Sequence, residues 1–525
     1  MNKYVRKLFG VMFQSQQTQQ AIRVPQQYSP TSPEERRQYW QAKGMPWRTE
    51  PEIDTKRQEE LSKCSTTMPD IEKGIYPFKG MKLSRADVEW LLATHENGLG
   101  PVDWNDESQR ERKGLDLRGV DLRFVNLSNL PLALVRGGMD LSDWHRTTET
   151  QYESAAVHMN GAILIEGHLE GAHLGGAHLE NAELLMAHLE DAHLEGAHLK
   201  ETSFWMACLK NADLYEADLE NAYLKEAQVQ NAMLAQANLA GACFRRADLE
   251  DANLSEANLK NADFCMANLN GTDLETANLE DTNLASASLK KANLNEAILK
   301  RTNLEAVSLD GAYLDKVILG DEKCVGPQIV DVEWGNVNHT LIPWSQVKML
   351  GDEHYARQKV QDKNVRDKFT CLEKYVKAVR ANRQIAVALE HQGLSEDAVR
   401  FAYRACILQR KVYWKKRVFG KWFGSLILAL LAGYGYRVWR IILAYLFVII
   451  VCAVAYFVLG MYYEPHLSFL EAVLTSITAF HGRVFSEPFL HSNEPQLWVT
   501  AFEAVAGLVV EGMFIAMLTQ KFFGK

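Results

Sequence analysis

Large apolar residues recur at every fifth position over a long stretch of this chain. From Leu164 to Leu319, 32 consecutive positions at this spacing hold Leu, Phe or Val. The residue two positions earlier is Ala in most repeats and Gly, Thr or Val in the others. Side chains repeat every 3.6 residues in an α-helix and every 2 in a strand, so neither element explains this spacing. The pattern predicts a backbone that turns a corner every five residues, with the large side chains filling its axis.

Segments such as GAHLEGAHLKET, NADLYEADLENAYL and EDANLSEANLKNADF resemble the A-(D/N)-L-x-x pattern of the pentapeptide-repeat family. This resemblance covers residues 157–320 and implies a right-handed, four-sided β-helix in which four repeats form one coil. At the strand spacing of ~4.8 Å, about eight such coils would stack into a rod about 38 Å long. We assign residues 157–344 to this β-helix.

A weaker run of the same kind lies upstream, at Leu117, Leu122 and Leu127. Its register differs from the main run by two residues, so residues 131–156 are predicted to be a loop or insertion. Residues 76–130 then hold the first repeats and an N-terminal cap, a helix that begins at Ser84 with Asp87 three residues later. Residues 1–75 are polar and rich in Gln, which predicts disorder.

Two long apolar segments near the C-terminus change the class of the protein. Residues 438–459 and 497–518 are each long enough, at ~1.5 Å per residue, to cross a hydrocarbon core of ~30 Å. The alternative is a pair of core helices in a soluble domain, but the first segment is too long and too uniformly apolar for one. Residues 422–435 are too short to span and are expected to lie in the membrane interface. The membrane domain is therefore assigned to residues 422–525.

A short segment lies between the two spans. Residues 468–480 have helical apolar spacing, at Phe469, Val473 and Ile477, and predict a re-entrant pore helix. The order span, short helix, loop, span, together with LSFLEAVLTSITAFHGRVF, resembles the pore region of the potassium-channel superfamily over residues 438–523. The resemblance implies a homo-oligomer, most simply a tetramer, that conducts ions.

The predicted selectivity filter departs from that family. Its residues are Thr478, Ala479, Phe480, His481, Gly482 and Arg483, where the family has T-V-G-Y-G-D. Phe480 replaces a glycine whose positive φ aims carbonyls at the ion, and Arg483 replaces the acidic residue. We therefore predict a pore that is not selective for potassium and that favours anions. The alternative is that Arg483 pairs with Glu487 or Glu471 as a structural brace.

Three residues on the second span share one helix face. Glu503, Gly507 and Glu511 lie four residues apart, and charged side chains at membrane depth usually face a bundle interior or water. They are predicted to line the pore. The alternative is a pairing between helices in a closed bundle that conducts nothing.

Charge gives the orientation in the membrane. No Asp or Glu occurs from residue 398 to residue 463, whereas Arg and Lys crowd the approach to the first span. By the positive-inside rule, the repeat domain and both termini are cytoplasmic in a multi-pass protein of the inner (plasma) membrane. The intervening residues 345–421 read as two helices, the second capped by Ser395, and resemble one tetratricopeptide-type unit.

Other candidate chemistry is weaker. Six histidines precede axial leucines between His168 and His198, and stacking of residues twenty apart predicts pairs on different faces, so we assign no metal site. The eight cysteines form no C-x-x-C pair, which suits a reducing compartment. Phosphate-loop, dinucleotide, nucleophile-elbow and zinc-peptidase motifs do not occur in the sequence, so neither catalysis nor a cofactor is predicted.

The acidic balance bears on partners. Residues 161–320 hold 26 acidic and 11 basic residues, a net charge of −15 in a chain whose net charge is −9. An acidic rod could mimic duplex DNA, as some pentapeptide-repeat proteins do by family resemblance, but a membrane tether disfavours that use and no nucleic acid partner is predicted. The sequence thus favours an ion-channel-like membrane protein that contacts lipids and ions. The alternative function is a membrane-tethered scaffold that binds a cytosolic protein through its rod and has a non-conducting pore domain.

Overall fold

The computed structural model describes residues 32–139, 146–358, 365–436, 438–462, 467–482 and 495–523. The chain forms two compact units. The first contains Met1–Asn283 and Ala287–Leu294, and the second contains Leu284–Ser286 and Asn295–Lys525. Each unit has its own helices, and each includes part of the repeat run.

The repeats of the first unit form a β-helix. Parallel bridges join residues twenty apart, for example His188 to Cys208 and Asn238 to Asn258. Twenty residues are four repeats, so each coil has the four sides that the sequence predicts. Within the described residues the pairing is by isolated bridges rather than by longer strands, because the backbone turns away after every short contact.

The axial positions are buried as predicted. Every Leu, Phe and Val at the five-residue spacing is at most 6% exposed, and Phe244 stacks on Phe264 with ring centroids 4.7 Å apart. The preceding small residues are buried beside them. Where that residue is Thr, as at Thr202, its hydroxyl donates to a backbone carbonyl, here that of Leu179 at 2.7 Å. This bond satisfies a polar group that would otherwise be costly to bury.

The corners of the coil have a repeated backbone conformation. From Leu164 to Leu314, the residue two positions after each axial side chain has a positive φ, as at Asn211 (φ 56°) and Gly241 (φ 72°). Asn and Gly tolerate this left-handed region better than other residues, which explains their recurrence at this position. Outward side chains also stack, since Asn258 Nδ2 donates to Asn238 Oδ1 at 2.9 Å and Asn238 Nδ2 donates to Asp218 Oδ1 at 3.0 Å.

The insertion in the repeats begins later in the chain than predicted. The repeats continue past residue 131, since Arg136 bridges back to Asp116, and Pro131 and Arg136 bridge on to His168 and His173. These partners are 37 residues apart rather than twenty, so 17 extra residues interrupt the coil after Arg136. They include a short helix, Glu149–Ala155. Leu132 is buried and keeps the five-residue spacing of the upstream run, whereas the next axial position is Gly137, which ends the visible pattern.

The N-terminal cap forms as predicted. Helix Arg85–Gly98 has Ser84 as its N-cap, and the Ser84 and Asp87 side chains bond each other's backbone N–H groups. Arg85 Nη1 donates to the carbonyls of Asn126 and Ser128 in the first coil, at 3.1 and 3.0 Å. The helix therefore covers the open end of the coil, where unpaired backbone groups would otherwise be exposed.

The prediction of disorder over residues 1–75 is wrong for residues 32–75. Helices Pro33–Ala42 and Thr55–Ser65 form there, and residues 1–31 lie outside the described residues. The fully buried Glu89 carboxylate accepts bonds from the backbone N–H groups of Thr49 and Glu50, each through an oxygen 2.9 Å away. Amino-acid composition does not reveal this order, because charge-assisted hydrogen bonds, and not a large buried apolar surface, hold these residues against the cap.

In the second unit, the last repeats are joined to a helical pair. Bridges there join Asn303 to Gln328 and Ser308 to Glu333, one repeat more than twenty residues apart. Helices Gly351–Arg357, Val365–His391 and Ser395–Lys415 follow. Two contacts, from Arg383 Nη2 to Gln409 Oε1 at 3.1 Å and from Lys415 Nζ to Cys371 Sγ at 3.3 Å, show that the two long helices run antiparallel.

The helical pair is fastened to the repeats within this unit. Gln384 Oε1 accepts from the Asp331 N–H at 2.9 Å, and Gln392 Oε1 accepts from the His339 N–H at 2.7 Å. One detail of the predicted linker is wrong, because Leu394 is the N-cap and Ser395 is the first residue of the helix. The helices themselves lie within the predicted range of 345–421.

Asp352 makes the stability of this junction sensitive to pH. The residue is almost fully buried, and burial raises its pKa to about 7, although the Ile329 N–H donates to its Oδ2 at 2.8 Å. Since the folded pKa lies above the unfolded value, this group favours folding at low pH, and that stability is lost as the pH rises from about 4 to 7. The loss is on the order of 4 kcal/mol at pH 8.

Asp352→Asn should therefore raise the melting temperature of the full chain at pH 8 and change it little at pH 4. The amide keeps an oxygen that can accept from the Ile329 N–H and carries no charge. Glu322→Gln, at an exposed carboxylate of the same unit, is the control and should not change the pH dependence. Equal effects of the two changes at pH 8 would contradict the assignment.

The remaining helices are apolar. Helix Phe419–Ala432 is followed by a 3-10 turn at Gly433–Gly435, and then by helices Val438–Gly460, Phe469–Phe480 and Pro495–Phe523. Two of them, over Trp439–Gly460 and Pro495–Met517, are long and apolar enough to span a membrane. Much of their apolar surface faces outward, as Phe447 and Leu508 do. We name Val438–Gly460, Phe469–Phe480 and Pro495–Phe523 helices α1, α2 and α3 of the apolar bundle.

Candidate functional site

The short helix α2 packs against both long helices of the bundle. Ala472 lies with Cys452 and Tyr456 of α1 in one apolar cluster, and Phe480 lies with Val510 of α3 in another. The helix begins at a capping box in which the Glu471 carboxylate accepts from the Ser468 N–H at 2.8 Å. Glu471 therefore caps α2, whereas one alternative paired it with Arg483. Arg483 and Glu487 lie outside the described residues.

The first half of the predicted filter is helical. Thr478, Ala479 and Phe480 form the last turn of α2, so their carbonyls follow the helix axis instead of lining an extended loop. The Thr478 hydroxyl donates back to the Leu474 carbonyl at 3.0 Å. Their assignment to a filter stays a prediction, and in the structure they are helical, as the short helix predicted over residues 468–480 requires. The physical reason is the burial of Phe480, which is 1% exposed and packs edge to face on Tyr445, because this packing keeps the last turn helical.

The second half of the predicted filter begins where the helix ends. His481 is the C-cap of α2, and Gly482 has a φ of +69° with its N–H bonded to the Ala479 carbonyl at 2.9 Å. Glycine adopts this left-handed conformation without steric cost, which lets the chain turn away from the helix. Within the described residues, the backbone therefore leaves the helix at His481.

Glu503 lies between helices of its own chain. Its side chain is fully buried, and one carboxyl oxygen bonds the Ser476 hydroxyl of α2. The same hydroxyl lies 2.9 Å from the Ile449 carbonyl oxygen of α1, which can only accept. This placement matches the alternative interpretation, a pairing between helices, and not the predicted pore lining.

Gly507 has a packing role. A Cβ atom at this position would lie 1.9 Å from the Phe480 carbonyl oxygen, so only glycine allows α3 to approach the end of α2 this closely. Gly507 is therefore buried by α2 rather than open to a pore. Glu503 and Gly507 lie four residues apart because both belong to the face of α3 that packs on α2.

Glu511 is the one of the three predicted pore-lining residues whose side chain is exposed. Its carboxylate bonds His481 Nδ1, and His481 Nε2 lies 3.1 Å from the Tyr445 hydroxyl. The Glu511 and His481 side chains are each 41% exposed. Around this polar group lies a cavity of about 440 Å³, whose other lining residues are Ile441, Ile442, Val510, Phe514 and Ile515.

Sequence reasoning named His481 and Glu511 separately and missed Tyr445. Tyr445 lies on α1, His481 caps the end of α2, and Glu511 lies on α3, 30 positions from His481. The available signal for Tyr445 was a phenolic hydroxyl in the middle of a largely apolar span, a feature that Tyr456 shares.

Comparison with known proteins identifies the repeat run. A family model of pentapeptide repeats (8 copies) matches residues 187–214 and 212–251, and a model of a pentapeptide repeat region matches residues 237–314. The chain is therefore a pentapeptide-repeat protein, as the sequence predicts. No curated protein matches the chain.

Solved structures of pentapeptide repeat proteins are similar to parts of the chain. HetL from Nostoc sp. strain PCC 7120, involved in heterocyst differentiation regulation, is 24% identical over 49% of this chain and 96% of its own, with a TM-score of 0.27. A second protein from Nostoc is 36% identical over 16% and 69% of the two chains, with a TM-score of 0.16. A protein from the Arabidopsis thaliana thylakoid lumen is 32% identical over 21% and 68%, with a TM-score of 0.14.

Proposed function

We propose that this protein is an integral membrane protein whose bundle of α1, α2 and α3 assembles, as a homo-oligomer, into an ion-conducting pore-loop domain. The observation that carries the proposal is helix α2. Its 12 residues extend only ~18 Å, too short to cross a membrane, and yet it is capped and packs against both spanning helices. A hairpin that only anchors a protein in a membrane needs no such helix.

The open cluster at the end of α2 supports an ion-handling role. Glu511, His481 and Tyr445 supply the polar groups at a cavity that is otherwise lined by apolar side chains. Ionisable side chains at membrane depth are costly and usually mark an ion or proton path. Arg483 follows two residues after His481, so a tetramer would bring four guanidinium groups near the mouth, which opposes cations and favours anions.

A charge reversal at Arg483 tests the proposal. The full chain in planar bilayers with asymmetric KCl should give a reversal potential nearer the chloride value. Arg483→Asp should shift it toward the potassium value, because four positive charges in a tetramer become four negative ones. Arg483→Lys, the control, keeps the charge and should shift it little. Wild-type oligomers that pass no current under voltage, pH change or tension would contradict conduction.

A second candidate function is a membrane-tethered scaffold. It is favoured by the placement of Glu503 and Gly507, which face neighbouring helices rather than an open path. The acidic outer surface of the repeats would then bind a basic cytosolic protein. An oligomer that conducts nothing in the bilayer recordings would support this function in place of the first.

The proposed topology places the repeats in the cytoplasm, and labelling from outside intact cells tests it. Ser486→Cys, between the spans, should react with a membrane-impermeant thiol reagent, and Thr340→Cys, on an exposed turn of the second unit, should not. The background is the chain with its natural cysteines replaced. Reaction at Thr340→Cys in intact cells would place the repeats outside.

A further inference from the structure

Three histidines form a column on one face of the β-helix. His158, His178 and His198 are joined by parallel bridges, and their rings stack with centroids 4.8 and 4.6 Å apart. The predicted pairs did not include His158, which precedes the main repeat run. Imidazole nitrogens are the commonest metal ligands in proteins, so the column brings candidate ligand atoms together on one face.

The insertion places a carboxylate beside this column. Glu153, on helix Glu149–Ala155, has one carboxylate oxygen 3.3 Å from His178 Nε2 and the other 3.9 Å from His198 Nε2. The three candidate ligand atoms all lie within 4.8 Å of one another. We propose that Glu153, His178 and His198 bind a divalent transition metal ion such as Zn²⁺, with solvent completing its coordination.

The surroundings of His178 are those of a metal ligand. Its Nδ1 lies 3.5 Å from a Glu180 carboxylate oxygen on the side opposite Glu153, and Asn160 Nδ2 bonds the other Glu180 oxygen. Histidines that bind a metal through Nε2 commonly have a carboxylate near Nδ1, and Glu180 lies where such an outer partner would lie.

The position of Glu153 is set by packing. Ala155 lies in one buried cluster with Tyr76 and Met139, and Tyr152 packs against that cluster. Lys79 Nζ also donates to the Ser154 hydroxyl at 2.5 Å. Glu153 is thus held on the column by the helix that carries it.

Binding requires a small adjustment of the rings. The planes of His178 and His198 are 4° apart, so their lone pairs are parallel, and a single ion at Zn–N distances of about 2.0–2.1 Å needs them to converge. Both side chains are partly exposed, at 16% and 36%, which leaves room for the rings to tilt. The bound ion would clip the insertion helix to two successive coils.

Another group in the first unit provides an internal comparison. Glu170, His188 and Glu190 also bring three ligand atoms within 4.8 Å of one another. This group offers one imidazole rather than two, and Zn²⁺ is commonly bound through nitrogen and sulfur ligands. We therefore expect it to bind Zn²⁺ more weakly than the group at Glu153.

The experiment is calorimetric titration of the metal-free full chain with Zn²⁺, and with Co²⁺ to record its absorption spectrum. One tight site should appear. Glu153→Gln and His198→Asn should each weaken it at least about tenfold, since even the loss of an outer-shell partner costs 10–100-fold. The control is His193→Asn, a histidine stacked on His173 on another face, which should leave affinity and spectrum unchanged.

Three outcomes would overturn the site. The first is a wild-type chain that binds no Zn²⁺. The second is a Glu153→Gln variant that binds Zn²⁺ with the affinity of the wild type. Loss of Zn²⁺ binding in Glu190→Gln instead would place the ion at the other group, and it also counts against the site. The third is an equal loss for His193→Asn. Matching melting curves for the metal-free variants exclude misfolding as the cause of any loss. A pH series gives a further readout, because the imidazoles must be neutral to bind and affinity should fall as they become protonated.

Discussion

Replacing Leu239 by alanine should lower the free energy of unfolding of the repeat coils by about 2–5 kcal/mol. The Leu239 side chain is fully buried on the axis, and its backbone N–H bonds the Asn258 carbonyl in the next coil. Alanine would lose the transfer free energy of the missing carbons and leave a cavity. The neighbouring coils cannot collapse into this cavity because hydrogen bonds fix their spacing.

Thermal unfolding of the full chain, followed by the circular dichroism of the repeats, measures the effect. The control is Met266→Ala, which removes a large apolar side chain that points outward and is 55% exposed. This change leaves no cavity and should cost less than about 1 kcal/mol. Equal losses from the two changes would contradict the assignment of inward and outward positions.

Replacing Gly507 by alanine should disrupt the apolar bundle. The added methyl group would lie 1.9 Å from the Phe480 carbonyl oxygen and 3.1 Å from its ring. Backbone atoms cannot move aside as a flexible side chain can, so α3 must shift away from α2. Overpacking of this kind costs about 1–3 kcal/mol, and here it also separates Glu511 on α3 from His481 at the end of α2.

Gly512→Ala is the matched control, because it lies on the same helix and a Cβ atom there would meet no atom within 4 Å. Alanine is favoured over glycine inside a helix by up to about 1 kcal/mol, so this change should be neutral or stabilising. Thermal melting of the two variants in detergent gives the measurement. A Gly507→Ala protein as stable as Gly512→Ala would refute the close packing of α2 and α3.

The sequence by itself determined the β-helix and the elements of the bundle. The five-residue period is a strong sequence signal because every axial side chain is buried for the same reason, so the same pattern of residues recurs in each repeat. The capping box at Ser84 is equally local, since it depends on two residues three positions apart. The lengths of the apolar helices follow from hydropathy alone.

Only the tertiary structure decided which polar groups meet. His481 contacts Glu511 across 30 residues, and Glu153 contacts a column of histidines because 17 inserted residues return the chain to the same face. The order of residues 32–75 likewise depends on a distant partner, Glu89. Such contacts leave no period in the sequence, since each is made once.

The predicted filter shows the same division. Helical apolar spacing placed α2 correctly, but the burial of Phe480 against Tyr445 keeps Thr478 and Ala479 helical, and that packing comes from another helix. Glu503 and Gly507 share a face with Glu511 by spacing, as the sequence indicates. Which of them is covered depends on where α2 lies against that face, and the close approach at Gly507 sets that position.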